Sequence, residues 1–189
     1  MASTGTAIVA SVLIAVILTM GLVYVANPYL FPQKGVVQTK SISQTGPAYI
    51  FSSQNTAYSV INNSKLAITT RGGSFLDVQF TAQGLITLDP TFAGIADWYV
   101  AVLVENSSGH VFGNDTILPA YYNVVAVGNI VQIPVAIAIQ LITGTLPAGT
   151  YNVTAQWKSA TYSALFTYLD LADATLHNPR VLVAQEIVP

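Results

Sequence analysis

Cysteine is absent from the sequence, which excludes a disulfide framework, a thiolate metal site and a catalytic thiol. Charge is scarce as well. Six Lys or Arg and eight Asp or Glu make 7% of the chain, against about 25% in ordinary soluble domains. A net charge of −2 without any basic cluster excludes the electrostatic footprint of a nucleic-acid-binding protein. Histidine is limited to His110 and His177, both in loop-like sequence, and neither has carboxylates at strand spacing around it. No metal, cofactor or catalytic residue is therefore expected, and the chain reads as a non-enzyme. Gly72-Gly73 has no Lys-Ser or Lys-Thr after it and so is not a phosphate loop. Asp170 and Asp173 read as turn or helix-cap residues, not as a catalytic pair.

Hydrophobic side chains make up 52% of the residues, which excludes a disordered chain. The first charge is Lys34. Within the charge-free stretch, Ala7–Ala26 (AIVASVLIAVILTMGLVYVA) has 20 residues, of which 11 are Leu, Ile or Val. As a helix it would span about 30 Å, the thickness of a bilayer's hydrocarbon core. Its apolar residues surround the axis, so lipid or other copies of the helix must enclose it. Met1–Thr6 has no Lys or Arg and the apolar run is long, which disfavours a cleaved secretory signal. As a simple membrane span, it has Lys34 and Lys40 on its C-terminal side, and the positive-inside tendency would place the following domain in the cytoplasm.

The segment resembles the N-terminal helix of archaeal type IV-like pilins, in which a charge-free helix of this length is followed directly by a β-rich domain. That family carries a short basic leader ahead of the helix, which Met1–Thr6 lacks. The resemblance covers about the first 30 residues. It implies an extracellular filament subunit whose helix passes from the membrane into the core of a helical homopolymer. There Ala7, Ala10, Ile14, Val16, Gly21 and Ala26 would mediate helix packing, the small residues permitting close approach. The alternative is a single-span membrane-anchored ectodomain, such as a cell-surface or viral spike, that binds a partner.

Residues 32–48, rich in Pro, Gly and polar side chains, read as a linker with a short strand at Gly35–Thr39. From residue 49 the signal is β. Candidate strands are Tyr49–Ser52, Ala57–Ile61, Leu66–Thr70, Phe75–Thr81, Leu85–Leu88 and Trp98–Val104. They continue with Tyr121–Val127, Val131–Ile142, Tyr151–Trp157, Tyr162–Tyr168 and Val181–Val188. Asn62-Asn63, Gly72-Gly73, Ser108-Gly109, Gly113-Asn114, Gly128-Asn129 and Pro147-Ala148-Gly149 read as turns between them. The expected fold is α+β by content: an apolar helix over 1–31, the linker, and an immunoglobulin-like or jelly-roll antiparallel sandwich over 49–189.

Finer expectations follow from individual strands. Pro134 cannot donate to a ladder, so Val131–Ile142 should lie at an edge or contain a bulge. Trp98–Val104 is apolar on both faces and should be buried between layers. Tyr151, after the turn at Gly149, should cover the end of the sandwich and bond nearby backbone through its hydroxyl. Four sequons, at Asn62, Asn106, Asn114 and Asn152, fall in predicted turns or on an outward strand face. N-glycans there would place the domain outside the cell.

Overall fold

The computed structural model describes residues 35–51, 57–89, 94–122, 130–159, 167–171 and 179–189. The apolar helix expected over residues 1–31, with Ala7, Ala10, Ile14, Val16, Gly21 and Ala26, lies outside them. So do the predicted turn at Gly128-Asn129 and most of the predicted strands at 121–127 and 162–168. Among the described residues no helix is long and apolar enough to cross a membrane.

Among the described residues, ten strands form two antiparallel sheets. The first contains β1 (Gly35–Gln44), β2 (Ala48–Phe51), β4 (Phe75–Leu88), β7 (Val131–Ile142), β9 (Tyr168–Leu171) and β10 (Arg180–Val188). The second runs in the order β3 (Ser59–Thr70), β8 (Gly149–Ser159), β5 (Gly94–Asn106), β6 (Val111–Tyr122). Their facing sides share one apolar core, in which Phe80 and Leu182 from the first sheet meet the layer of Trp98, Val102 and Val153 from the second. Burying each such side chain contributes about 1.5–3 kcal/mol.

Strand β4 organises the first sheet. Strand β7 pairs with it along one edge from Asp77 to Leu88. The other edge is shared, by β10 along Phe75–Thr81 and by β9 along Gly84–Thr87. Strand β1 then adds to β10, and β2 to β9. With the short β2/β9 pair set aside, eight strands remain. In chain order they lie 1-8-3-6 in one sheet and 2-7-4-5 in the other. First pairs with eighth, second with seventh, third with sixth and fourth with fifth, as in a long hairpin rolled around the core. That is the jelly-roll order, and it selects between the two sandwiches expected from sequence.

Several local expectations hold. Among the described residues strand β7 pairs with β4 alone, so Pro134 sits on an edge strand. Burial of Trp98–Val104 between layers holds only in part: Trp98, Val100, Ala101, Val102 and Val104 are buried, but Tyr99 and Leu103 on the outer face are half-buried. Tyr151 is buried and its hydroxyl donates to Pro147 O at 3.1 Å.

Others are corrected. The short strand expected at Gly35–Thr39 within the linker extends further, over Gly35–Gln44, and pairs with β10 along its length with a bulge at Val37. The candidate strands on either side of Asn62-Asn63 are one strand. A wide bulge between Val60 and Lys65 takes up the extra residues, and Asn63 adopts φ 57°. Phe75–Thr81 and Leu85–Leu88 likewise join through Gly84. Gly113-Asn114 is no turn but part of β6, within the hairpin whose turn is Ser107-Ser108-Gly109.

Candidate functional site

The outer face of the second sheet gathers four chemically distinct side chains from four places in the sequence. Tyr58 enters just before β3, Tyr99 projects from β5, Asp115 from β6 and Lys158 from β8. The register places Tyr99 opposite Lys158, Ala101 opposite Asp115, and Leu103 opposite Gly113. Lys158 Nζ stands 4.5 Å from the centre of the Tyr58 ring and 4.6 Å from that of Tyr99, a cation held between two π faces. The Tyr58 hydroxyl donates to Asp115 Oδ2 at 2.8 Å. Burial raises the Tyr58 pKa well above the usual tyrosine value, and the hydrogen bond and charge of Asp115 raise it further. Tyr58 therefore stays a neutral donor. Beside it lies a depression of about 250 Å³ lined by Tyr58, Ala101, Leu103, Gly113, Asn114 and Asp115.

A second polar group is interior. Arg180, at the start of β10, is 2% exposed. Its Nη1 donates to Gly46 O at 2.5 Å and Leu171 O at 2.9 Å, and its Nη2 reaches Asn62 O at 3.4 Å. One guanidinium thus joins β9, the β1–β2 connection and the bulge of β3 across both sheets. Burial lowers its pKa and the nearby Asp170 carboxylate works in the opposite direction. Asp170 itself is buried on β9, which corrects the turn or helix-cap role expected for it. Asp173 lies outside the described residues.

Glu186 on β10 is also enclosed, at 1% exposure. Its Oε1 accepts from Arg71 N and from Ser74 Oγ, each at 2.8 Å. It ties the Gly72-Gly73 turn to the end of the sandwich, where both glycines have positive φ. Arg180 and Glu186 are structural anchors closed off from solvent.

The sequon asparagines do not converge on one site. Asn62 is exposed at the bulge of β3. Asn106 caps the β5–β6 hairpin, its Oδ1 accepting from Ser108 N, Ser108 Oγ and His110 N at 2.8–3.0 Å. Asn114 donates through Nδ2 to Gln140 O on β7 at 2.7 Å, so a sugar on that nitrogen would be built against the β7 edge. Asn152 is half-buried between Ala67 and Glu105 on the outer face of the second sheet. His110 is exposed and its ring packs edge-on against Phe112. Among the described residues no group of three or more His, Asp or Glu side chains is placed to hold a metal ion.

No protein-family model matches the chain, and no curated protein matches its sequence. Among solved structures, a mutant VP2 protein of infectious bursal disease virus in T=1 particles matches 80% of this chain and 36% of its own, at 10% identity and a TM-score of 0.29. The VP2 subviral particle of the same virus matches 80% of this chain and 38% of its own, at 8% identity and a TM-score of 0.31. The chain thus spans little more than a third of the length of these structures. Scores this low carry no weight, and the jelly-roll assignment rests on the strand order.

The Tyr58–Tyr99–Lys158–Asp115 group was not foreseen from sequence, because its members are up to 100 residues apart and meet only through the β3-β8-β5-β6 order. One local signal was present. Gly113 interrupts a strand-like run, and a glycine inside a strand often marks a close approach or a ligand.

Proposed function

We propose that the chain is the structural subunit of an extracellular type IV-like filament that polymerises through its N-terminal apolar segment. The observation that carries this reading is the pairing of Ala7–Ala26, apolar on every side, with a jelly-roll head that begins at Gly35. Only residues 27–34 separate the two, and Pro28 and Pro32 are among them. Eight residues reach at most about 28 Å when fully extended, which keeps each head near its apolar segment, as a regular filament requires.

In this account the segment resides in the membrane before assembly and then packs against copies of itself. The heads decorate the outside, and their mutual contacts cover a surface poor in charge. Head-to-tail contacts of this kind propagate into a helix instead of closing into a ring. The partner is another copy of the chain, joined by N-glycans wherever the sequons are used. No cofactor and no nucleic acid enter the account.

Pelleting of assembled material tests it. Ile14→Asp or Val16→Asp abolishes pelleting, because a carboxylate in a dry helix core has no partner. Residues 34–189 alone stay folded and monomeric. Pelleting that survives either Asp substitution contradicts the proposal.

A membrane-anchored ectodomain that binds a partner is the second reading. It is favoured by the depression beside Tyr58 and Asp115, a feature that a purely structural head does not need.

A further inference from the structure

The surface charge of the head is sorted by sign. Among the described residues, the lysine and arginine side chains that reach the surface are Lys40 on β1, Lys65 on β3, Arg71 directly after β3, and Lys158 on β8. The surface carboxylates are Asp77 on β4, Asp89 directly after it, Asp97 and Glu105 on β5, and Asp115 on β6. Asp170, Arg180 and Glu186 are buried.

The strand order turns this into a division in space. In the second sheet β3 and β8 form one half, and β5 and β6 the other. In the first sheet β1 and β7 lie on opposite sides of β4. Lys40 bridges β1 to β3, and Asn114 bridges β6 to β7. The sandwich therefore has a basic flank at β1/β3 and an acidic flank at β6/β7.

The two flanks match in length as well as sign. The register sets Glu105 opposite Val111 and Asp97 opposite Pro119. With Asp115 between them, these carboxylates follow β6 at four-residue steps, roughly 13 Å apart. Lys65 and Arg71 stand six residues apart, roughly 20 Å along the line of β3, and the Lys40 amine lies between them at Ala67 O. Solubility gives no reason for such sorting, since interspersed signs serve it better. The acidic flank also exposes Val111, Ile117 and Ile142, each at least 50% accessible, and Val60 on β3 is 46% accessible. Apolar side chains bordered by charge are the make-up of a protein interface.

We propose that the heads of neighbouring copies dock head-to-tail, the basic β1/β3 flank of one copy against the acidic β6/β7 flank of the next. The inference deepens the filament reading and rests on it for the crowding of the heads. Exposed charge pairs are weak and leave free heads monomeric, but they count once tethering raises the local concentration. Each docked pair still presents one free flank of each sign, so the contact propagates without closing. Like flanks repel, which fixes the polarity of the assembly.

The test is cross-linking between two full-length chains, co-expressed with different epitope tags in a host without N-glycosylation so that Asn114 is bare. One carries Lys65→Cys and the other Asp115→Cys. The native chain has no cysteine, so a membrane-impermeant bis-maleimide links the copies only through the introduced thiols. Mixed dimers are expected from the pair, and none from either variant expressed alone. Raising NaCl from about 50 to about 500 mM should lower the yield about fivefold, because the screening length shrinks. Arg71→Glu on the first chain, or Glu105→Lys on the second, should lower it as well, and the two reversals together should restore it. Mixed dimers no more abundant than same-variant dimers overturn the proposal. So does failure of the paired reversals to recover the yield in chains that unfold at the wild-type temperature. Fibres without mixed dimers remove this contact and leave the filament reading in place. Mixed dimers from chains that form no fibres keep the contact and remove the filament.

Discussion

Lys40 on β1 donates from Nζ to the carbonyl oxygen of Ala67 on β3 at 2.7 Å, joining an edge strand of one sheet to an edge strand of the other. On the opposite side of the sandwich, Asn114 of β6 does the same with Gln140 of β7. An exposed sheet edge presents unpaired backbone groups that recruit other chains. Here each seam is crossed by a side chain, and Pro134 removes a donor from β7.

Removal of either bridge is expected to cost about 0.5–1.5 kcal/mol, the ordinary net value of one hydrogen bond. Lys40→Met and Asn114→Ala lie on opposite seams without shared partners, so their effects should add. Urea denaturation of the two single variants and the double variant checks this. A double variant no less stable than either single one would show that the seams are coupled.

Glu186 is a greater liability. Glu186→Ala leaves the part-buried backbone N–H of Arg71 and the buried hydroxyl of Ser74 without their acceptor, and the buried group costs about 1–3 kcal/mol. A loss of roughly 1–4 kcal/mol is expected, measured by denaturant midpoint. Glu186→Gln keeps an acceptor at Oε1 and should lose far less. Equal losses in the two variants would mean that packing, not these hydrogen bonds, accounts for the residue.

Gly84 and Gly113 both lie inside strands, yet they should respond differently to alanine. At Gly84 the new Cβ would fall on the carbonyl oxygen of Asp170, part of the β9 backbone that pairs there. Backbone cannot turn aside, so Gly84→Ala should cost about 1–3 kcal/mol by overpacking. At Gly113 the obstacle is a leucine methyl, which can rotate away, and the cost should be smaller. Calorimetry of the two variants gives the comparison, and a larger loss at Gly113 would reverse the argument.

The sequence discloses the sandwich because several strands carry a clear two-residue alternation, as in Val131–Ile142 and Tyr151–Trp157. It conceals strand continuity where alternation breaks without the strand ending. The Asn62-Asn63 pair reads as a turn, but four residues of β3, Ile61–Ser64, bulge opposite the single Ala155 of β8. Gly84 reads as a break, but it marks the place where β9 comes close. Strand β1 is polar and resembles a linker because its outer face meets solvent and its sheet partner, β10, is at least 136 residues away, the separation of Gln44 from Arg180. In β10 local hydropathy suggests the wrong face. Val181, Val183 and Ile187 are half-buried outside, while Arg180, Leu182, Ala184 and Glu186 point into the core. Only partners distant in sequence, at Gly46, Leu171, Arg71 and Ser74, make those two buried charges tolerable.

Tyr58 supplies a pH signature. Burial first, and then Asp115, raise its pKa above the ordinary value of about 10. The folded state therefore keeps the proton at a pH where the unfolded state has lost it. Its contribution to stability is complete below about pH 10 and is lost as pH rises through the folded-state value. Difference absorbance between the wild type and Tyr58→Phe should show this phenol ionising after the other tyrosines. Asp115→Asn should bring it part of the way back, since burial remains. Ionisation of Tyr58 together with the bulk would contradict the Asp115 contact.

The central claim is that the apolar N-terminal segment builds a filament core beneath jelly-roll heads. Negative-stain electron microscopy of material sheared from cells expressing the full chain tests it most directly. The account predicts uniform fibres from the wild type and none from Ile14→Asp. A wild-type chain that yields no fibres on cells or in the supernatant, and that is extracted from membranes as a detergent-soluble monomer, would contradict it.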